Sequence, residues 1–223
     1  MYRNLHFKII LILVVFTIAL MSVIGIVLTA SASNFYTNEF LTLMGREFRE
    51  DSSLMRELQD GFTSEDYVAR QSDVLRTYAI ELEIDQYRDY YLLDGDGNFL
   101  AGSDVELGAS LEKTPNLIAA IAGKNGVTHR VWANYVDYAV SLSDGTHHTI
   151  VYVKDTQEDV RSISTMILQI TIQAMLIGMF VSVVLSFFFA RAISEPIRSL
   201  TVGAQRIADG EFSEEIDVKA NDE

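Results

Sequence analysis

Two long stretches of this sequence contain no charged residue, and they constrain the fold more than any other feature. The first covers residues 9–38 and the second covers residues 162–190. Each stretch is longer than the roughly 20 apolar residues that cross the hydrocarbon core of a bilayer as a helix. The sequence therefore predicts a chain that crosses a membrane twice.

The first predicted membrane helix, residues 9–30, resembles a signal peptide because Arg3 and Lys8 precede it. A cleaved signal peptide has an apolar core of only about 7–15 residues, followed by small residues at the cleavage site. The longer run favours an uncleaved anchor, although Ala30-Ser31-Ala32 leaves cleavage open as an alternative.

Lys and Arg residues beside membrane helices indicate which side of the membrane each end occupies, because they prefer the cytoplasm. Arg3 and Lys8 precede the first predicted helix, and Arg191 and Arg198 follow the second, so both termini are expected inside. The segment between the helices has 23 acidic and 11 basic residues, a net charge of 11 − 23 = −12, and is expected outside. The predicted division is a cytoplasmic N-terminus (1–8), transmembrane helix 1 (9–30), an extracytoplasmic domain (31–161), transmembrane helix 2 (166–190) and a cytoplasmic segment (191–223).

Small residues recur at every fourth position of the second predicted membrane helix. They are Ala174, Gly178, Ser182, Ser186 and Ala190. Positions four apart lie on one helix face, and small side chains let helix backbones approach closely in lipid. The stripe predicts a helix-packing face, with chance as the alternative because small residues are common in membrane helices.

Composition excludes several classes of function. The absence of cysteine excludes disulfides, thiol nucleophiles and cysteine-based zinc sites. A pI of about 4.6 argues against a nucleic-acid partner, which needs clustered Lys and Arg. The sequence has no His-Glu-x-x-His motif, no Gly-x-Ser-x-Gly motif and no Walker loop. We therefore expect neither a catalytic site nor a cofactor in these 223 residues.

The segment between the membrane helices has the pattern of an α+β domain. Helical spacing of apolar residues predicts one helix over residues 34–58 and another that begins with a cap-like Thr63-Ser64-Glu65-Asp66 and ends near Ile84. The first of these helices is expected to continue directly from the membrane helix. The rest of the domain is predicted as a hairpin around residues 94–98, a short helix at 115–122 and strands at 127–132, 135–142 and 149–154.

This order of elements resembles the extracytoplasmic PAS-like domains called PDC or Cache domains. Residues 90–104 (YYLLDGDGNFLAGSD) look like the hairpin of that family, and residues 137–145 (DYAVSLSDG) look like its later strand pair. The resemblance covers about residues 35–160. It implies an α+β PAS-like sensor domain with a long N-terminal helix, flanked by two transmembrane helices.

A candidate ligand pocket follows from one predicted strand. Arg130 and Trp132 are two residues apart and share a face, where an Arg beside an aromatic ring can clamp a carboxylate. Tyr135 and Tyr138 on the next predicted strand are candidates for the same pocket. The spacing is similar to the Arg-x-Trp of amino-acid-binding Cache domains. The alternative is ordinary sheet packing with a surface arginine.

Metal sites receive little support from the sequence. Asp94, Asp96 and Asn98 match the first three ligand positions of an EF-hand, but the required Gly and Glu are replaced by Phe99 and Val105, so a tight turn is expected.

The histidines do not improve the case for a metal. His147 and His148 are neighbours on a predicted strand and face opposite ways, and His129 stands elsewhere. The acidic surface could hold divalent cations or cationic peptides, or be only a solvated surface.

The C-terminal segment predicts a coiled-coil helix. Pro196 suits its first turn, and an apolar seam at spacings of three, four and three follows, made of Ile197, Leu200, Ala204 and Ile207. With Gly210 ending the helix and Asp222-Glu223 at the right distance, the tract resembles the start of a HAMP domain, which relays signals directly after the last membrane helix of bacterial receptors. A lone amphipathic helix beside the membrane is the alternative.

Together these features predict the input half of a longer protein, a bacterial sensor histidine kinase of the two-component type in the inner or plasma membrane. The predicted sensor is a homodimer that responds to a small extracellular ligand or cation and reaches a cytoplasmic response regulator through a kinase domain beyond residue 223. A chemoreceptor or cyclase input and a membrane-anchored binding protein without signalling are the alternatives.

Overall fold

The computed structural model describes residues 3–128, 133–189, 192 and 195–209. The chain divides into two compact units. The central unit is Ala30–Ser164, and the terminal unit comprises Met1–Thr29 and Thr165–Glu223. The two units are described separately below.

Among the described residues, two helices are long and apolar enough to cross a membrane by length and composition. Helix α1 covers Arg3–Glu47 and helix α6 covers Glu158–Phe189. Their most apolar windows of 18 residues have mean hydropathies of 3.1 and 2.2. The prediction of two candidate membrane helices is confirmed. The predicted continuation of the first helix into the domain is also confirmed, since α1 runs unbroken to Glu47.

The helix predicted over residues 34–58 is wrong in its length, because two helices occupy that segment. Helix α2 begins anew at Ser53–Asp60 behind Ser52. The Ser52 hydroxyl donates to the Glu47 carbonyl at 2.6 Å and accepts from the Met55 amide at 3.1 Å. These bonds satisfy backbone groups left free where one helix ends and the next begins. The apolar residues that predicted one helix face are nevertheless all buried: Phe40, Met44, Phe48, Met55 and Leu58.

Helix α3, Tyr67–Thr77, begins as predicted but ends early. The Asp66 carboxylate accepts a hydrogen bond from the Ala69 amide at 3.0 Å and caps its first turn. The predicted end near Ile84 is wrong, because the chain leaves the helix after Thr77 and turns through residues 78–83. Leu82 is still fully buried. The turn therefore places in the core an apolar side chain that was predicted to lie on a longer helix.

The sheet contains four antiparallel strands in the order β2-β1-β4-β3. They are β1 (Arg88–Asp94), β2 (Phe99–Gly102), β3 (Val136–Ser143) and β4 (His148–Asp155). The predicted hairpin turn is confirmed, with Gly97 at a φ of 85° that glycine adopts readily. Two short helices complete the unit: α4 (Val105–Gly108), which was not predicted, and α5 (Pro115–Ile121), which was.

The strand predicted over residues 127–132 does not appear where the structure describes that segment. Val127 and Thr128 belong to no strand, although the preceding Gly126 forms an isolated antiparallel bridge with Ala139 of β3. Residues 129–132, including His129, lie outside the described residues.

Apolar cores lie on both faces of the sheet. The larger packs α1, α2 and α3 against one face, and the smaller packs Leu117 and Ala120 of α5 against Tyr91 and Tyr152 on the other. The α+β class with a long N-terminal helix is confirmed, and the arrangement is compatible with a PAS-like domain between two membrane helices. The exact domain boundaries stay a prediction.

Candidate functional site

The four residues proposed from the sequence as a ligand pocket are not brought together by the described structure. Arg130 and Trp132 lie outside the described residues. Tyr138 is buried in the larger core and stacks on Phe48 of α1, with ring centroids 5.9 Å apart. Tyr135 is on the α5 face of the sheet, with the Lys154 ammonium 5.0 Å from its ring centroid. The two tyrosines therefore face different sides of the sheet.

Tyr135 lines a small hollow of only about 10 Å³ beside α5, together with Asn116, Thr128 and Asp137. This hollow is bounded by residues on both sides of the segment 129–132.

A buried carboxylate organises the floor of this hollow. Asp137 is only 5% exposed, and its oxygens accept hydrogen bonds from three side chains. Thr114 donates at 2.6 Å, Asn116 at 2.8 Å and Tyr152 at 3.0 Å. A buried carboxylate is tolerated when its oxygens are satisfied in this way. The Asp137 cluster, defined as these four residues, ties α5 to strands β3 and β4.

Asn116 extends the cluster toward the undescribed segment. Its side chain accepts from the Thr128 amide at 2.8 Å and donates to the Thr128 carbonyl at 2.9 Å. A third bond from the same amide nitrogen reaches the Asp137 carbonyl at 3.0 Å. Asn116 thus holds the backbone immediately before residue 129 against the sheet.

The pKa of Tyr152 is raised, first by burial of its phenol and then by the negative charge of Asp137. Tyr152 therefore keeps its proton over the physiological range and remains a donor to Asp137. The sequence analysis did not identify this cluster. Its one local signal was Thr114 before Pro115, a helix start whose hydroxyl also accepts from the Leu117 amide at 3.2 Å.

A second, wider hollow of about 170 Å³ lies at the same, C-terminal end of β4, within the central unit, and Val136 lines both hollows. It is lined by Tyr36 and Phe40 of α1, by Arg88 of β1, by Asp155 at the end of β4 and by Gln157. Arg88 is held between carboxylates, with its Nε atom 3.0 Å from Asp155 and its Nη1 atom 2.9 Å from Glu83.

The acidic turns are explained by backbone hydrogen bonds. Burial alone would raise the pKa of Asp94, but hydrogen bonds from the Asn98 side chain and the amides of Asn98, Asp96 and Gly97 lower it. Backbone amides of His147 and Thr146 lower the pKa of Asp144 to about 2. Both carboxylates stabilise tight turns, as expected for the Asp94 turn.

The two adjacent histidines face different neighbours. The His147 ring lies 4.5 Å from the Tyr67 ring and 3.3 Å from the Asp144 carboxylate. The His148 Nε2 atom lies 2.8 Å from the Ser141 hydroxyl. Within the residues that the structure describes, no group of three or more His, Asp or Glu side chains is placed to hold a metal ion.

In the terminal unit, the small-residue stripe of α6 faces α1 of the same chain. The Ser182 hydroxyl lies 2.8 Å from the Thr17 hydroxyl, and a Cβ on Gly178 would come within 2.9 Å of the Thr17 methyl group. Ala174 is half-buried and Ser186 is 1% exposed, whereas Ala190 lies outside the described residues.

Helix α7, Glu195–Ala208, covers the segment proposed as a signal relay. Pro196 is exposed in its first turn, and Ile197, Leu200 and Ala204 expose their side chains along the proposed seam. Ile207 lies in the last turn of the helix. Gly210, Asp222 and Glu223 lie outside the described residues.

Comparison with known proteins agrees with this arrangement. The model of the HAMP domain family matches residues 188–223. Two relatives are named sensor protein kinase WalK. The Staphylococcus haemolyticus protein is 23% identical over 99% of this chain, and the Staphylococcus saprophyticus protein is 22% identical over all of it. The prediction of a sensor-kinase input half is confirmed.

The chain spans 38% of the length of each of these curated relatives. No solved structure matches it. Two helices apolar enough to cross a membrane, a HAMP match that begins at residue 188 and the likeness to WalK sensor kinases support a membrane-bound input module of the two-component sensor-kinase type.

Proposed function

We propose that the central unit detects a signal outside the cell and passes it through α6 to the HAMP segment, and so to a kinase domain and its response regulator. The observation that carries this proposal is continuity of the backbone. Helix α6 begins three residues after strand β4 ends and continues through an apolar run to Phe189, inside the HAMP match. A change in the sheet thus has a direct helical route to the relay.

The proposed topology places both termini in the cytoplasm, in line with the flanking Lys and Arg residues. The chain contains no cysteine, so single cysteines can report it. We expect Thr146→Cys, in the exposed β3–β4 turn, to react with a membrane-impermeant thiol reagent in intact cells. Ser213→Cys should react only after the membrane is permeabilised. Labelling of Ser213→Cys in intact cells would exclude this topology.

The proposed assembly is a parallel homodimer. In a single chain the α7 seam is open, with Ile197 58% and Leu200 53% exposed. A second copy of the seam would remove these side chains from water by the knobs-into-holes packing of a coiled coil. This supports a dimer joined at least through the HAMP segment.

The proposed ligand is a small anion held by Arg130 and Trp132. Charge-assisted hydrogen bonds from an arginine are strong where water is excluded. A ligand that binds only the folded protein at 100 times its dissociation constant adds about 2.7 kcal/mol to stability. We expect one class in a screen of amino acids and carboxylates to raise the unfolding temperature of the full chain in nanodiscs.

In the same assay, Arg130→Ala should remove most of that gain and leave the unliganded unfolding temperature close to that of the wild type. Lys113→Ala is the matched control, because its exposed ammonium only donates to the Asp96 carbonyl. If divalent cations or cationic peptides stabilise the chain and Arg130→Ala responds as the wild type does, the acidic surface is the sensing element and the proposed pocket is wrong.

A further inference from the structure

Two non-glycine residues in the described part of the chain have a positive φ, and both line the wider hollow. They are Glu83, at 53°, and Gln157, at 54°. A side chain makes this backbone conformation unfavourable, and it persists only where surrounding contacts hold it. Each of the two residues makes one side-chain contact that links separate elements of the central unit.

Glu83 contributes through Arg88. The Nη1 atom of Arg88 donates to Glu83 at 2.9 Å and to the Leu82 carbonyl at 3.1 Å, while its Nε atom donates to Asp155 at 3.0 Å. The same guanidinium lies over the Phe40 ring of α1, 5.1 Å from the centroid. One side chain of β1 therefore contacts α1, the turn after α3 and the last residue of β4.

Gln157 contributes at the start of α6. Its backbone amide donates to the Asp155 carboxylate at 2.7 Å, so it shares that carboxylate with Arg88. Its side chain reaches α1 and donates to the Thr37 hydroxyl at 3.1 Å. Thr37 is 3% exposed, and Gln157 is the residue immediately before α6 begins.

We propose that Arg88, Asp155, Gln157 and Thr37 form a tie that fixes the axial position of α6 against α1, and that signalling releases this tie. The inference rests on the proposed function and adds where the signal enters the helices. The geometry favours two states, because the contacts that hold the tie closed also hold two strained residues. Opening the tie loses these contacts and relieves the strain, so the two states can lie close in free energy.

The tie can be tested by cross-linking in the terminal unit. In the cysteine-free chain, Thr17→Cys paired with Ser182→Cys reports the register in which these two side chains touch, 2.8 Å apart. Thr17→Cys paired with Ala174→Cys or Ser186→Cys reports α6 displaced by about one turn in either direction. Gly178 is not used, because it already lies against Thr17 in the undisplaced register. The ratio of disulfide yields in membrane vesicles measures the balance between registers and requires neither ligand nor kinase output.

We expect Thr37→Val, which removes one hydroxyl at nearly constant shape, to shift this ratio about fivefold toward a displaced pair, as for the loss of one hydrogen bond. Gln157→Ala should act in the same direction. It deletes the same bond and keeps the strain that the left-handed backbone imposes on a side chain. Arg88→Met should shift the ratio further, and Arg88→Lys, which keeps the charge but not the two-pronged contact, should lie between.

The control is Gln71→Met, which lowers the stability of the central unit at a site away from the tie. Gln71 is fully buried, donating to the Leu58 carbonyl at 3.0 Å and accepting from Thr149 at 3.0 Å. A shift in Gln71→Met as large as in Thr37→Val would show that general destabilisation moves the helices, and would overturn the tie. A wild-type ratio in Thr37→Val and Gln157→Ala would overturn it as well, whether or not Arg88→Met folds. Because the ratio needs no ligand, failure of the tie would leave the topology and ligand tests of the proposed function standing.

Discussion

Asp137→Ala is expected to lower the free energy of unfolding of the central unit by about 3–5 kcal/mol, because it leaves a buried polar cluster without its acceptor. Thr114, Asn116 and Tyr152 each donate to this carboxylate within 3.0 Å. The three donors are at most 5% exposed, so water has little access to replace the lost acceptor. The tyrosine cannot compensate by ionising, because burial raises its pKa.

Thermal unfolding of the full chain in nanodiscs, followed by far-UV circular dichroism, measures this loss. We expect the midpoint to fall by at least about 10 °C. Asp137→Asn should lie between the variant and the wild type, because it keeps one acceptor oxygen and a similar shape. Asp73→Asn, an exposed carboxylate on α3, is the control and should unfold like the wild type. An Asp137→Ala midpoint equal to that of Asp73→Asn would mean that the cluster contributes little to stability.

Sequence patterns located the elements of the fold better than their ends. Apolar periodicity placed Phe40, Met44 and Met55 in the core, and all three are buried. It also merged α1 and α2, because the same spacing continues across the cap formed by Ser52. Periodicity reports which residues face the core, whereas a helix end depends on a few local hydrogen bonds that leave the spacing unchanged.

Sequence patterns of this kind do not show which distant segments of the chain contact each other. Asp137 lies in a strand, where a lone carboxylate is ordinarily a surface residue. Its burial depends on Thr114 and Asn116, more than 20 positions earlier, and on Tyr152 of the neighbouring strand. The sequence could have predicted that Tyr135 and Tyr138 point to opposite faces, because residues three apart on a strand do so.

The two hollows have different roles in the function proposed for the central unit. One is lined by Thr128 and Ala133 and by Asn116 and Asp137 of the Asp137 cluster, so a ligand there would meet a preformed floor. The other surrounds the start of α6 and contains the strained residues. Strands β3 and β4 join the two, because Asp137 pairs with Lys154 in the register that places Val136 beside Asp155. A ligand-induced shift of β3 thus has a short path to the tie.

Gly126→Ala is expected to destabilise the central unit by about 3 kcal/mol, at the upper end of the cost of overpacking. An added Cβ would overlap the carbonyl oxygen, the Cα atom and the carbonyl carbon of Asn116. These are backbone atoms of α5, so relief requires the whole helix to move from the sheet. That movement would also break the bridge to Ala139, whose two hydrogen bonds measure 2.8 and 3.0 Å.

Gly45→Ala is the matched substitution with the opposite expected sign. Gly45 is exposed in α1, and a Cβ there meets nothing within 4 Å. Alanine in an exposed helix is more stable than glycine by about 0.5–1 kcal/mol. The unfolding temperature of Gly126→Ala should therefore lie below that of the wild type, and that of Gly45→Ala should lie above it. Hydrogen exchange at the Ala139 amide should accelerate only in Gly126→Ala. If the two variants unfold together, the close contact between Gly126 and α5 is not a constraint on the fold. If Gly126→Ala unfolds early while exchange at Ala139 is unchanged, the strain is relieved elsewhere than at this bridge.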